Sequence, residues 1–282
     1  MTSIATRILK GETIQQGDAL PNRVEEDTRK ARSFILNAVK IHVQNVADYL
    51  ADWQKGGFSY RDDLPNCAPP FEVMWFEYHF GSRTFGVGIQ GVENGPGRTF
   101  PWTLHWSVVA TSLDNQTISA VAQSSWNVTE DGHLDIDHSR EIFIEPPWGE
   151  LFWNDEKDEN YNAAMFVTLA LPALMAICFM HCRNVEMIDM NIAKIGKGSQ
   201  LQRRRPLAEW KMLKIRAMTK ILDGSGERGD SLATRLHICR GHFKDFTKSG
   251  LFGRHKGVYW WHSHLRGDEA EGTVHKEYEV TP

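Results

Sequence analysis

The chain has 282 residues, 41% of them hydrophobic and 24% charged, a length that suits one large domain or two small ones and removes any need for disulfide stapling. Its four cysteines (Cys67, Cys178, Cys182 and Cys239) lack a paired-spacing framework, so a reduced, cytoplasmic setting is expected. The net charge of −4 hides a division: residues 1–193 carry 14 Lys+Arg against 26 Asp+Glu, whereas residues 194–282 carry 18 against 10.

In chain order, residues 1–22 lack an apolar signal-like stretch and are expected to form a flexible arm. From Arg23 to about Trp53, Ile35, Leu36, Val39, Val43, Val46, Tyr49, Leu50 and Trp53 recur at three- and four-residue spacing, which predicts one long helix. Gly56-Gly57 ends it. Runs at 71–80, 84–92, 99–111, 116–128 and 134–144 read as strands separated by short Gly, Asn and Asp turn signals, and therefore as an antiparallel sheet. Trp75, Trp102, Trp106 and Trp126 alternate along these strands and are expected in the core rather than as base-stacking platforms.

Residues 163–182 form the most apolar stretch, but Pro172 interrupts it and Asp155, Glu156, Asp158 and Glu159 precede it, so a buried core helix is expected and no membrane association. Strands are predicted at 185–190 and 209–216, on either side of a basic linker at 194–206. Three more, at 235–243, 258–265 and 273–280, should close the chain as an antiparallel sheet. The expected class is a soluble α+β fold, with a long N-terminal helix and a buried core helix packed on an antiparallel β-sheet. Residues 23–193 form its acidic α+β core, and a basic β-rich unit at 194–282 packs on that core.

Half of the twelve histidines fall in the last 46 residues, which makes this block the place to seek chemistry. Strand periodicity puts His237 with Cys239, and His262 with His264, each pair on one face, so pairing of the two strands would gather the ligand types of a zinc site. No standard zinc spacing is present, and no cofactor is favoured. Without metal, two of His237, His242 and His264 could act as general base and acid on RNA, with Arg240 or Arg266 holding the phosphate. The same groups could simply bind phosphate, a geometrically looser task, and Lys194, Lys197, Arg203, Arg204, Arg205, Lys211 and Lys214 would extend such a surface. Asp135 and Asp137 beside His133 and His138 read as a solvated strand face.

Three stretches carry a resemblance: Pro69-Pro-Phe-Glu-Val-Met-Trp75-Phe-Glu77; Asn191 to Lys194 with Arg203 through Leu213; and His237 to Phe243 with the ending Gly272 to Val280. In these the chain resembles a family of proteins encoded by bacteriophages and other bacterial mobile elements. The resemblance covers mainly the last third and implies a genetic setting without an activity. The leading expectation is a nucleic-acid-binding protein, RNA being favoured, that acts through its basic C-terminal third; a metal-independent ribonuclease and a protein-interaction module with a structural histidine cluster are the alternatives.

Overall fold

Phe85, Val87 and Ile89 are buried on one side of a strand, whereas Gly86, Gly88 and Gln90 between them lie on the other, the period-2 pattern of a two-faced sheet. The computed structural model describes residues 3–15, 21–53, 63–135, 143–144, 159–190, 209–216, 235–239, 241–251, 255–261, 264–266 and 268–273. Among these, ten strands form one mixed sheet. Eight lie in the order β1 (Ile14–Gln15), β6 (Ile118–Val128), β5 (Trp102–Thr111), β4 (Arg83–Glu93), β3 (Val73–Phe80), β2 (Val39–His42), β10 (Trp210–Ile215) and β9 (Val185–Asp189). The short strands β7 (Leu134–Asp135) and β8 (Phe143–Ile144) pair with β6. The helices are α1 (Ile4–Leu9), α2 (Pro21–Asn37), α3 (Gln44–Trp53) and α4 (Glu159–Met180).

This architecture overturns the expected α+β class: β-structure predominates, the sheet is mixed rather than antiparallel, and there is no single long N-terminal helix. The segment 23–53 splits because Val39, Ile41 and Val43 alternate as a strand requires, and β2 inserts parallel to both β3 and β10. Pairing on both edges outweighs the helical spacing that the same residues also satisfy. Since β10 completes this sheet, the basic C-terminal region contributes a strand to the main body.

The expected flexible arm is likewise corrected at its start. Ser3 caps α1 by accepting from the Thr6 N–H at 3.1 Å, and Ile4, Ala5, Ile8 and Leu9 are buried. A six-residue helix does not persist alone, so this one is held by its surroundings. Buried Glu77 accepts the N–H groups of Ile4 and Ala5 at 3.2 and 2.6 Å and the Trp75 indole N–H at 2.9 Å. Burial pushes its carboxyl up to about 7 despite these donors.

Two cores result. One face of the sheet packs against α3, α4 and a C-terminal hairpin, with Phe76, Trp106, Trp126, Leu174 and Phe179 fully covered. The opposite face packs against α1 and α2 around Ile8, Ile35, Trp75 and Val109. Trp75, Trp106 and Trp126 are thus core residues, and Trp102 packs half-buried against the first cluster. Within α4, Pro172 cannot donate to the carbonyl one turn back, and the Tyr78 hydroxyl donates to the neighbouring Leu169 carbonyl at 2.5 Å. Among the described residues, no helix is long and apolar enough to cross a membrane.

Candidate functional site

The C-terminal strands form two sections: β11 (Arg235–Cys239) pairs antiparallel with β14 (His264–Arg266) and parallel with β15 (Asp268–Thr273), and β12 (His242–Asp245) pairs antiparallel with β13 (Val258–Trp261). In the first section His237 stands opposite Arg266 and Cys239 opposite His264; in the second His242 stands opposite Trp261 and Lys244 opposite Tyr259. The two antiparallel pairs keep the same register. The Leu236/Ile238 and Val258-Tyr-Trp-Trp261 runs supply the strand character, and Gly250 and Gly257, at φ 69° and 128°, carry the connecting loop. Gly257 also meets Arg183 closely: a Cβ there would fall 2.7 Å from the arginine Cγ.

Aromatic packing and one buried amide fix the second section to the body. Trp260 is covered, its ring centroid 4.7 Å from Phe243, 4.9 Å from Phe179 and 5.3 Å from Tyr49. The Asn184 amide bonds the Trp260 backbone. On the outer side Lys244 sits 3.9 Å over the Trp261 ring, His242 is exposed, and Phe246 meets both Tyr259 and Trp261 edge-on or tilted. The hairpin therefore holds a cation stacked on the face of an aromatic ring.

Antiparallel partners share a face, as do residues two apart, so the backbone places His237, Cys239, His264 and Arg266 on one face of the first section. For the zinc set, Cys239 and His264 share a rung, but the residue opposite His237 is Arg266, a cation that no metal site recruits as a ligand. Among the described side chains no group of three His, Cys, Asp or Glu has metal-site spacing. His262, Arg240, Lys194, Lys197, Arg203, Arg204 and Arg205 lie outside the described residues, as do Asp137 and His138. Lys211, on β10, faces Asp189 of β9 and donates to that carboxylate at 2.7 Å. Lys214, two residues on, is exposed. Asp135 stands opposite Asn127 at the end of β7.

No protein-family model, curated protein or solved structure matches the chain. Geometry alone must speak for the site.

Sequence reasoning missed Glu77, whose burial under α1 depends on tertiary packing that no local pattern encodes. It missed Lys40 as well, which is 9% exposed and donates to the Ala38 carbonyl at 2.9 Å. Burial holds that ammonium below the usual lysine range, with Glu209 pulling the other way. The signal available for Lys40 was its position between Val39 and Ile41, had the segment been read as a strand.

Proposed function

We propose that the protein binds single-stranded nucleic acid, RNA above all, along its C-terminal hairpin, in the phage or mobile-element setting that the resemblance implies. The observation that carries this reading is the outer face of the β12–β13 hairpin, where His242 stands opposite Trp261 and Lys244 lies over that tryptophan. Single strands are bound by such a combination, cations tracking the backbone and aromatic planes stacking bases, without base-edge readout. The excess of Lys and Arg over Asp and Glu in residues 194–282 favours the same partner through counterion release. The test is filter retention of a labelled RNA homopolymer at low and high salt, with wild type and with Arg203, Arg204 and Arg205 changed to alanine. Retention that falls steeply with salt and weakens in the variant supports the reading; no retention at low salt removes it and leaves the protein-interaction module.

A ribonuclease is the second reading, favoured by one placement: His237 and His264 are diagonal neighbours on the face that also carries Arg266. One neutral imidazole would take the 2′-hydroxyl proton as that oxygen attacks phosphorus. The other, as imidazolium, would protonate the departing 5′-oxygen, leaving a cyclic phosphate. RNA that is bound but stays intact across neutral pH eliminates this reading.

A further inference from the structure

The sheet face that carries α1 and α2 is only partly covered. Beyond α2 the outward positions of β5 are Thr103, His105 and Ser107, which pair with Asn127, Ser125 and Gln123 of β6, and Gln90 of β4 continues the row next to His105. All seven are polar without a formal side-chain charge, unlike the lysine- and glutamate-rich surface of an ordinary solvated strand. Thr103 bonds Asn127 at 3.1 Å and His105 bonds Ser125 at 2.6 Å. Gln90, Ser107 and Gln123 add amide and hydroxyl groups that both donate and accept.

Between this row and α2 runs a cleft of about 600 Å³, bordered by Glu26, Asp27, Lys30 and Phe34 above and by Ser107 and Gln123 below. A second, of about 730 Å³, shares Lys30 and Phe34 and extends to Asn37 and Gln90. From Glu26 to Asn37 the helix rises roughly 16 Å, and the two adjoining clefts, which share Lys30 and Phe34, are taken together as one trough along α2. Two glycines let aromatic rings approach the strands along it. A Cβ on Gly88 would come 3.0 Å from the Phe34 ring, and one on Gly86 would come 2.5 Å from the Trp75 ring.

Charge decides what such a trough accepts. Lys30 is held by Glu26 at 2.9 Å and Asp27 at 3.6 Å, and Glu72 adds a further carboxylate in the second cleft. A polyanion is repelled there, and the trough lies on the face opposite the one that carries the hairpin. What remains is a row of hydroxyl and amide groups that both donate and accept, carboxylates that accept strongly, and ring faces for C–H surfaces. We infer that this trough binds a neutral oligosaccharide, whose hydroxyls also both donate and accept and whose pyranose faces lie on Phe34. The inference does not depend on nucleic-acid binding by the hairpin, since no residue is shared.

The test is calorimetric titration of the full-length protein with three uncharged hexasaccharides, β-1,4-linked glucose, α-1,4-linked glucose and β-1,4-linked N-acetylglucosamine. It is repeated with Ser107→Ala, Gln123→Ala and Lys244→Ala, each checked for an unchanged melting temperature. The expected result is binding of at least one hexamer that is insensitive to added salt, weakened roughly tenfold or more by Gln123→Ala or Ser107→Ala, and untouched by Lys244→Ala. The inference is overturned if none of the three binds at millimolar concentration, if the trough variants bind as wild type does, or if these variants instead lose affinity for an RNA homopolymer.

Discussion

Asn184 pairs with Trp260 as a neighbouring strand would: its amide oxygen accepts the Trp260 N–H at 2.9 Å and its amide nitrogen donates to the Trp260 carbonyl at 2.8 Å. The same nitrogen reaches the Arg216 carbonyl at 3.0 Å, so one buried side chain ties the hairpin to the end of β10. Both partners lie at the join between the main sheet and the candidate nucleic-acid surface.

Asn184→Ala leaves a buried N–H and two carbonyls without these partners, at a cost of about 1–3 kcal/mol. Urea unfolding of the variant should show a lower midpoint of that size. Asn184→Asp keeps the acceptor but loses both donated bonds, and it should be at least as unstable above neutral pH. An unchanged midpoint in both variants means that the hairpin is held by its aromatic packing alone.

Glu77 makes stability depend on pH. Its carboxyl moves from 4.5 in the unfolded chain to about 7 in the folded one, so the folded state favours the protonated form. The contribution is full below about pH 4.5, declines as pH rises, and is gone above about 7, a change on the order of 3 kcal/mol at most. Unfolding free energies at pH 5 and pH 8 should differ in this direction for wild type and not for Glu77→Gln. Equal slopes in the two proteins would show that Glu77 does not titrate in this range.

Gly241 is buried against α3, where an added Cβ would lie 2.3 Å from the Tyr49 hydroxyl and 2.8 Å from the Trp260 ring. Gly241→Ala should therefore cost about 1–3 kcal/mol by overpacking. Gly81→Ala, in the β3–β4 turn with open space around it, keeps the side chain clear but strains a backbone at φ 59°. A double variant with Tyr49→Phe, which removes the clashing oxygen, should recover part of the Gly241→Ala loss; no recovery would place the strain elsewhere.

Strands β3 to β6 were legible because Phe85/Val87/Ile89 and Leu104/Trp106/Val108 alternate without a competing period. The segment at 39–43 was not, because Val39, Val43, Val46 and Leu50 satisfy a helical spacing while Val39, Ile41 and Val43 satisfy a strand spacing, and only the edges offered by β3 and β10 decide between them. The helix at 4–9 was illegible for a related reason: six residues carry too little propensity, and its stability comes from Glu77, which lies 73 residues from Ile4. In the site, the grouping of His237 with Cys239 followed from periodicity, whereas the placement of Arg266 opposite His237 required the register, and nothing near Asn184 in sequence announces its bond to Trp260.

The salt dependence of RNA affinity in hairpin variants tests the central claim most directly. Fluorescence anisotropy of a labelled single-stranded RNA should give a steep fall of affinity with salt for wild type. Lys244→Ala should weaken binding and lower the slope of log K against log salt by about 0.7, the loss of one phosphate contact. Wild-type affinity and slope retained in Lys244→Ala, or no binding by wild type at low salt, would contradict the assignment of the hairpin as the nucleic-acid surface.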